Sequence, residues 1–261
     1  MTEPACWRQL DDRGPDLVLC LDFPGGRAAA GFADLAGNAP VDACFLHLGP
    51  VRAELGPLRA QAGEWVRAAT ADGRRVVGVL GYCAGTALAT RVADAVVDAG
   101  MAAPEVLLFE AGTVDAGALC RQFVTVVESS AGQLTEDELA GAHRWQQELL
   151  ERYPHDPSHI AEGLTHRYDE LMAGVAARLD LGEFFHHELT AGFTSYLDYL
   201  VLAGAGGPDL RSGTPLFVSS RDHHLDFAAA RHVRVDVGRE ELLRDIEVHK
   251  LVAGLLRGEH R

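Results

Sequence analysis

Apolar and polar positions alternate along the first 110 residues in segments that predict strands separated by single helices. The predicted strands are residues 17–23, 41–48, 75–80 and 105–109. The helices predicted between them are an Ala-rich one to about residue 36, one from about 53 to 71, and one from 86 to 99. Strands that alternate with single helices favour a parallel sheet with right-handed crossovers.

The pattern changes over residues 134–204, where apolar residues recur at helical spacing. Thr135 and Glu138 predict a capping box at the start of the first of three helices in this segment. Strand patterns return at residues 214–219 and 232–237, and a last helix is predicted over 240–256. We therefore expect one domain over residues 1–261, with a helical insertion at 134–204 inside it.

Composition narrows the class of protein. With 48% hydrophobic residues, the 261-residue chain can bury a core, yet no uncharged apolar run approaches the length of a membrane span. The charged N-terminus does not resemble a signal peptide, and a net charge of −15 disfavours a nucleic-acid partner. Five scattered cysteines without a C-x-x-C pair argue against disulfides and structural zinc. We expect a cytoplasmic protein that needs no membrane.

One motif suggests covalent chemistry. Gly81-Tyr82-Cys83-Ala84-Gly85 lies between a predicted strand and a predicted helix, and it has the G-x-S-x-G form with Cys in place of Ser. At such a turn the strand and helix backbones crowd each other, so glycines are needed on both sides. The start of the helix favours a thiolate, and the Ala84 N–H is predicted to face a developing oxyanion.

The chain resembles the thioesterases of polyketide and nonribosomal peptide assembly lines, of the type II kind. Three features in this order carry the resemblance: the loop Phe23-Pro24-Gly25-Gly26, the Cys83 turn and the helical insertion. The resemblance implies an α/β-hydrolase fold, with a mostly parallel central sheet flanked by helices and the insertion acting as a lid. It also implies that Gly25 or Gly26 supplies the second oxyanion amide and that Glu110 is the triad acid.

The family's histidine is not found where the resemblance predicts it. After the last predicted strand the chain has Gly238-Arg239-Glu240-Glu241, and Glu240 falls near the expected position. Other candidates are His223 or His224, with Asp222 at a position where some members of the family hold their acid. A histidine of the insertion, His186 or His187, is a further possibility, as are Glu240 itself and a Cys83 thiol acidic enough to need little help from a base. Asp222, His223, His224 and Asp226 fit no standard metal-ligand spacing, so we expect no metal.

Cysteine in the nucleophile's place affects the predicted reaction. A thiol that attacks a pantetheine thioester makes another thioester, which can still acylate an amine, alcohol or thiol. We therefore expect an enzyme that forms a Cys83 acyl-enzyme from a carrier-protein- or CoA-bound acyl group and then hydrolyses, cyclises or transfers it. No cofactor is expected beyond the substrate's phosphopantetheine. An apolar acyl tunnel is predicted from Phe184, Phe185, Phe193, Tyr196 and Tyr199, and Tyr82 is a further predicted substrate-binding residue.

The sequence also suggests a partner protein and leaves two alternative functions open. Because the chain begins at Met1 and carries no carrier-protein motif, we expect it to act on a separate acyl or peptidyl carrier protein and a small acyl substrate. One alternative is a catalytically degenerate relative that binds a carrier protein or a product, which the missing histidine favours. Another is a cysteine hydrolase of the same fold that acts on a small lactone.

Overall fold

Seven strands form one sheet in the part of the chain that the computed structural model describes: residues 6–23, 30–51, 56–206, 210–211 and 213–259, apart from the side chains of 183–185 and 189. The strands are β1 (Trp7–Asp12), β2 (Asp16–Leu21), β3 (Ala43–Leu48), β4 (Val76–Tyr82), β5 (Glu105–Phe109), β6 (Leu216–Ser219) and β7 (His232–Arg234). Their spatial order is β1-β3-β2-β4-β5-β6-β7. Only β1 runs antiparallel to its neighbour among these pairs, so the predicted mostly parallel sheet is confirmed.

The central strands consist of apolar runs because both of their faces are buried. Every residue of β3 is buried, and β2 and β4 each have a single residue that is only half-buried. The sequence analysis missed β1, because its segment is short and polar. Its exposed and half-buried residues fit a strand at the edge of the sheet, where one side of the ladder faces solvent.

The helices are α1 (Phe32–Asn38), α2 (Leu58–Ala69), α3 (Gly85–Asp98), α4 (Ala116–Ser129), α5 (Glu136–Arg152), α6 (Pro157–Arg178), α7 (Glu183–Gly204) and α8 (Ile246–Leu256). The predicted helix over 240–256 begins later than expected. A short 3-10 turn covers Leu242–Arg244, and Asp245 then caps α8 by accepting hydrogen bonds from the N–H groups of Glu247 and Val248.

The chain divides into two compact units. One comprises Met1–Thr113 with Ala205–Arg261 and contains the sheet, and the other is Val114–Gly204, which contains helices α4 to α7. The helical unit begins earlier than the predicted insertion because α4 belongs to it. The capping box at Thr135 and Glu138 is confirmed, with both reciprocal hydrogen bonds present. That this unit acts as a lid stays a prediction.

Two further observations bear on the chain's class. Within the described residues, none of the helices is both long and apolar enough to cross a membrane. All five cysteines are free thiols, and Cys20, Cys44 and Cys120 are buried. Burial raises the pKa of the Cys20 thiol well above its ordinary value and that of Cys120 to about 11. These thiols are therefore poor nucleophiles.

His47 on β3 makes stability depend on pH. The residue is 6% exposed, and burial, with a smaller contribution from the charge of Arg8, lowers the pKa of its imidazole from 6.5 to about 4. Between these values the unfolded chain binds a proton that the folded chain excludes. Stability from the neutral ring is thus fully present above pH 6.5 and is lost as pH falls towards 4.

We expect the free energy of unfolding of the wild type to fall by about 1–2 kcal/mol between pH 7.5 and pH 5, relative to a His47→Leu variant that cannot titrate. Urea unfolding of both proteins at the two pH values measures this difference. A wild-type curve parallel to that of the variant would contradict the assignment.

Candidate active site

Cys83 occupies a strained turn between β4 and α3. Its φ is 52°, in the left-handed region, and Thr86 donates to the Cys83 carbonyl through both its N–H and its hydroxyl, at 3.1 and 2.7 Å. Such a conformation costs about 1–3 kcal/mol for a residue other than glycine and persists only where the surroundings enforce it. This is the backbone geometry that the G-x-C-x-G motif predicted for a nucleophile.

Gly81 permits the close approach of α3 to β4. A Cβ added at Gly81 would lie 2.7 Å from the Thr86 Cα and 2.8 Å from both the Ala89 Cβ and the Gly85 carbonyl oxygen. Most of these atoms belong to the backbone, so they cannot move aside cheaply. The glycine before the nucleophile is therefore a packing requirement of the turn.

Glu110 lies at the carboxyl end of β5, beside Cys83 in the sheet. The two turns are joined through the backbone, because the Cys83 N–H donates to the Phe109 carbonyl at 2.8 Å. The Glu110 N–H in turn donates to the Val218 carbonyl of β6 at 3.0 Å. Glu110 also has a positive φ, 51°, and among the described residues it shares this with Cys83 and one other non-glycine residue, Asp180. The sheet thus enforces unusual backbone at both predicted catalytic positions.

The Glu110 carboxylate is buried at 1% exposure. Its Oε1 accepts a 2.6 Å hydrogen bond from the Ser220 N–H. Its Oε2 lies 3.5 Å from Arg239 Nε and 3.7 Å from His223 Nδ1, and makes no hydrogen bond within the described part of the chain. A buried carboxylate needs such partners, since an unpaired charge inside a protein is costly.

Arg239 is the side chain that reaches the thiol of Cys83. One terminal guanidinium nitrogen of Arg239 donates to Cys83 Sγ at 3.3 Å, while its Nε faces Glu110. The guanidinium carbon lies 5.9 Å from the centroid of the Tyr82 ring, and the Tyr82 hydroxyl donates to the Arg239 carbonyl at 3.5 Å. The Arg239 guanidinium therefore lies close to both the thiol of Cys83 and the carboxylate of Glu110.

The guanidinium of Arg239 stays protonated. Burial opposes the charge, but hydrogen bonding to Tyr82 and the charges of Cys83, Tyr82 and Glu110 together raise the pKa of the guanidinium. Arginine stays protonated in proteins even without such help. Arg239 can therefore stabilise a thiolate or an oxyanion, but it cannot accept a proton.

The predicted base His223 lies near Glu110, and its ring nitrogens face Ala111 and Glu110. Its Nε2 is 2.8 Å from the Ala111 carbonyl oxygen, which fixes that nitrogen as a donor, and its Nδ1 faces Glu110 Oε2. His224 is exposed, and Asp222 is exposed with Arg221 Nε 3.7 Å from its carboxylate. A base role for either histidine, and an acid role for Asp222, stay predictions.

The residue after β7 that reaches the thiol is one that the sequence analysis did not consider, and a base role for Glu240 stays a prediction. The sequence analysis placed Glu240 where the family holds its histidine, but the structure puts the guanidinium of the preceding residue, Arg239, at the thiol. Glu240 is exposed, and its backbone carbonyl accepts a hydrogen bond from the Ala30 N–H. The sequence did contain an indication of this contact, because Arg239 is a charged residue one position from the expected base.

The predicted oxyanion donors are described only in part. Ala84 is the residue before the first turn of α3, where N–H groups have no acceptor within the helix. Gly25 and Gly26 lie outside the described residues, as does Pro24. Among the described residues, no cluster of three His, Cys, Asp or Glu side chains could hold a metal ion.

The predicted substrate-binding residues are distributed over both units. Tyr82 is buried at the end of β4. In the helical unit, Phe193 packs against Tyr168 and Phe123 with ring centroids 4.6 and 6.2 Å apart, which are contacts of helix packing. Tyr196 is half-buried, and the side chains of Phe184 and Phe185 lie outside the description. The insertion histidine His186 has its Nε2 3.1 Å from Asp169 Oδ1, and His187 is exposed.

Gly81→Ala is expected to destabilise the protein by about 1–3 kcal/mol, because its methyl group overpacks the contact between β4 and α3. Gly63→Ala is the matched control, since a Cβ there meets nothing within 4 Å in helix α2. That control should stabilise by about 0.5–1 kcal/mol. Chemical denaturation of the three proteins measures both changes, and equal stability of the two variants would overturn the packing argument.

Comparison with known proteins identifies the fold. No protein-family model matches the chain, and no curated protein matches it. Among solved structures, it matches a four-domain nonribosomal peptide synthetase bound to AMP and glycine, with a TM-score of 0.56, 15% identity and 98% of this chain covered. The chain spans only 20% of that synthetase.

A second match is of similar length. It is a mutant form of YbtT, a type II thioesterase from the yersiniabactin NRPS/PKS biosynthetic pathway, with a TM-score of 0.50, 11% identity and 97% of each chain covered. At these identities the likeness concerns the fold alone. The chain has the α/β-hydrolase fold, with Cys83 at the turn where that fold holds its nucleophile.

Proposed function

We propose that the protein is a thioesterase-like enzyme of secondary-metabolite biosynthesis, which acts on a carrier-protein- or CoA-bound acyl thioester through a Cys83 acyl-enzyme. The observation that carries this proposal is the Cys83 turn, with a φ of 52° and Sγ 3.3 Å from the Arg239 guanidinium. A structural cysteine needs neither a strained backbone nor a cation at its sulfur. A nucleophilic cysteine benefits from both, because the thiolate is its reactive form.

Acylation of Cys83 requires few groups. The Cys83 thiolate attacks the carbonyl carbon of the thioester, and the negative charge moves to the carbonyl oxygen, which the Ala84 N–H faces in our proposal. The carbon–sulfur bond to pantetheine then breaks, and pantetheine leaves as a thiolate. No proton has to be taken from the nucleophile during this step if Arg239 already stabilises it as the thiolate.

The choice of donor in this proposal is supported by the fold and by the chemistry of a thiol. The matched structures are described as a nonribosomal peptide synthetase and a type II thioesterase of an NRPS/PKS pathway. By extension we assign the present chain an acyl or peptidyl carrier protein as partner, with phosphopantetheine as part of the substrate and no cofactor of its own. The place of action in this proposal is the cytoplasm, where five free thiols stay reduced.

A second candidate is a catalytically degenerate protein that binds a carrier protein or a product. One observation favours it: a cation stands at Cys83 Sγ, where an enzyme that hydrolyses esters holds a base. In this case Cys83 would be unreactive despite its turn. The two candidates differ in whether the thiol forms a covalent adduct.

Incubation with a panel of acyl-pantetheine thioesters is expected to raise the intact mass of the protein by one acyl group. Cys83→Ala should abolish the increase, because the nucleophile is absent. Cys6→Ala is the matched control, as Cys6 is the other partly exposed cysteine, and this variant should still be acylated. If no donor of the panel gives an adduct on the wild type, the degenerate binding protein becomes the better assignment.

Arg239→Ala is expected to slow alkylation of Cys83 by iodoacetamide at pH 7 by about tenfold, because the thiolate loses the cation that stabilises it. Peptide mass spectrometry over time resolves Cys83 from the other cysteines. The rate at Cys6 serves as an internal reference, and Arg59→Ala serves as a surface arginine control. An unchanged rate at Cys83 in Arg239→Ala would show that the guanidinium does not activate the thiol.

A further inference from the structure

The position of Arg239 restricts which acceptor can take the acyl group from Cys83. We propose that the acceptor is a second pantetheine-type thiol, so that the enzyme exchanges an acyl group between two thiols and does not hydrolyse it. This inference rests on the proposed Cys83 acyl-enzyme and adds the class of the second substrate.

Water is a poor acceptor at this site because its attack requires a group that takes a proton. Arg239, the described side chain in contact with Cys83 Sγ, is a permanent cation. Glu110 Oε1 is occupied by the Ser220 N–H, and Glu110 Oε2 faces Arg239 and His223. His223 directs its Nε2 to the Ala111 carbonyl. Within the described residues, the hydrogen bond at Cys83 Sγ therefore comes from a permanent cation and not from a proton acceptor.

An amine has a related difficulty. When a neutral amine attacks a thioester, it gains a positive charge and must lose a proton before the amide is formed. The guanidinium at the reaction centre repels that charge and cannot take the proton. A cation beside the sulfur therefore disfavours amide formation as well as hydrolysis.

A thiol acceptor meets neither obstacle. A few per cent of an ordinary thiol is already thiolate near pH 7, and thiolates are strong nucleophiles towards thioesters. The incoming thiolate attacks the carbonyl carbon of acyl-Cys83, its new carbon–sulfur bond forms, and the bond to Cys83 Sγ breaks. Cys83 leaves as a thiolate and returns to its contact with Arg239, so no proton moves in the step.

The two half-reactions are mirror images. In the first, a pantetheine thiolate leaves and Cys83 is acylated; in the second, another pantetheine thiolate enters and Cys83 is released. The sum transfers one acyl group from thiol to thiol with no net change in charge or protonation. A fixed cation serves both directions equally, whereas a base is needed only when the acceptor has a proton to lose.

The test compares three acceptors with a donor that acylates Cys83. Acyl-pantetheine is incubated with the wild type and with N-acetylcysteamine, with glycinamide, or with buffer alone, and products are quantified by mass spectrometry after subtracting enzyme-free reactions. We expect acyl-N-acetylcysteamine to form at least 100-fold faster than the free acid or the amide. Without an added acceptor, acyl-Cys83 should persist in equilibrium with the donor and the pantetheine that it released. Free acid or amide formed as fast as the thioester would overturn the inference.

Arg239→His provides the matched gain of function, since it places an imidazole beside Cys83 and Glu110. We expect hydrolysis to rise at least tenfold while thiol exchange does not rise. Arg239→Gln is the control, lacking both the charge and the base, and it should lower exchange without raising hydrolysis. If Arg239→His does not raise hydrolysis above the level of Arg239→Gln, the guanidinium is not what excludes water.

The outcomes separate this inference from the proposed function. Absence of an acyl adduct on the wild type with every donor removes the Cys83 acyl-enzyme, and with it the function. An adduct that forms but is released as free acid keeps the enzyme as a thioesterase and removes only the thiol acceptor.

Discussion

The hydrogen bond from the Cys83 N–H to the Phe109 carbonyl links the Cys83 turn to the end of the next strand. The same arrangement repeats across the sheet, because the Glu110 N–H binds the Val218 carbonyl and the Arg221 N–H binds the Val237 carbonyl. Each loop is therefore fixed to its neighbour at the carboxyl ends of parallel strands, where α/β proteins place their sites. The distances among Cys83, Glu110 and Arg239 follow from this ladder.

Within that arrangement Glu110 has contacts unlike those of the acid of a serine triad. There the acid orients a histidine and stabilises the imidazolium that forms during the reaction. Here Glu110 faces a guanidinium that is charged at all times, so the acid balances a constant charge and holds Arg239 in place.

The sequence predicted the parts of the site that depend on local pattern. Cys83 was found from the glycines around it, and Glu110 from its place after an apolar strand. Arg239 was not predicted, because its position depends on how β7 ends. The apolar alternation predicted a strand over 232–237, whereas β7 ends at Arg234. Beyond it the chain is held by isolated backbone hydrogen bonds, such as the one from the Val235 N–H to the Ser219 carbonyl. Arg239 reaches the sulfur because its side chain is long. The number of residues between the strand and the expected histidine does not reveal this contact.

Because the Arg239 guanidinium is half-exposed, the salt content of the solvent can affect the site. The Arg239 side chain is 52% exposed, so dissolved anions can approach it while it also faces the sulfur. A catalytic histidine is controlled by proton concentration, whereas a permanent cation near the surface is controlled by ionic strength and by competing anions. Chloride and inorganic phosphate can approach the same guanidinium that contacts the sulfur, so salt composition is expected to alter the electrostatic environment of Cys83.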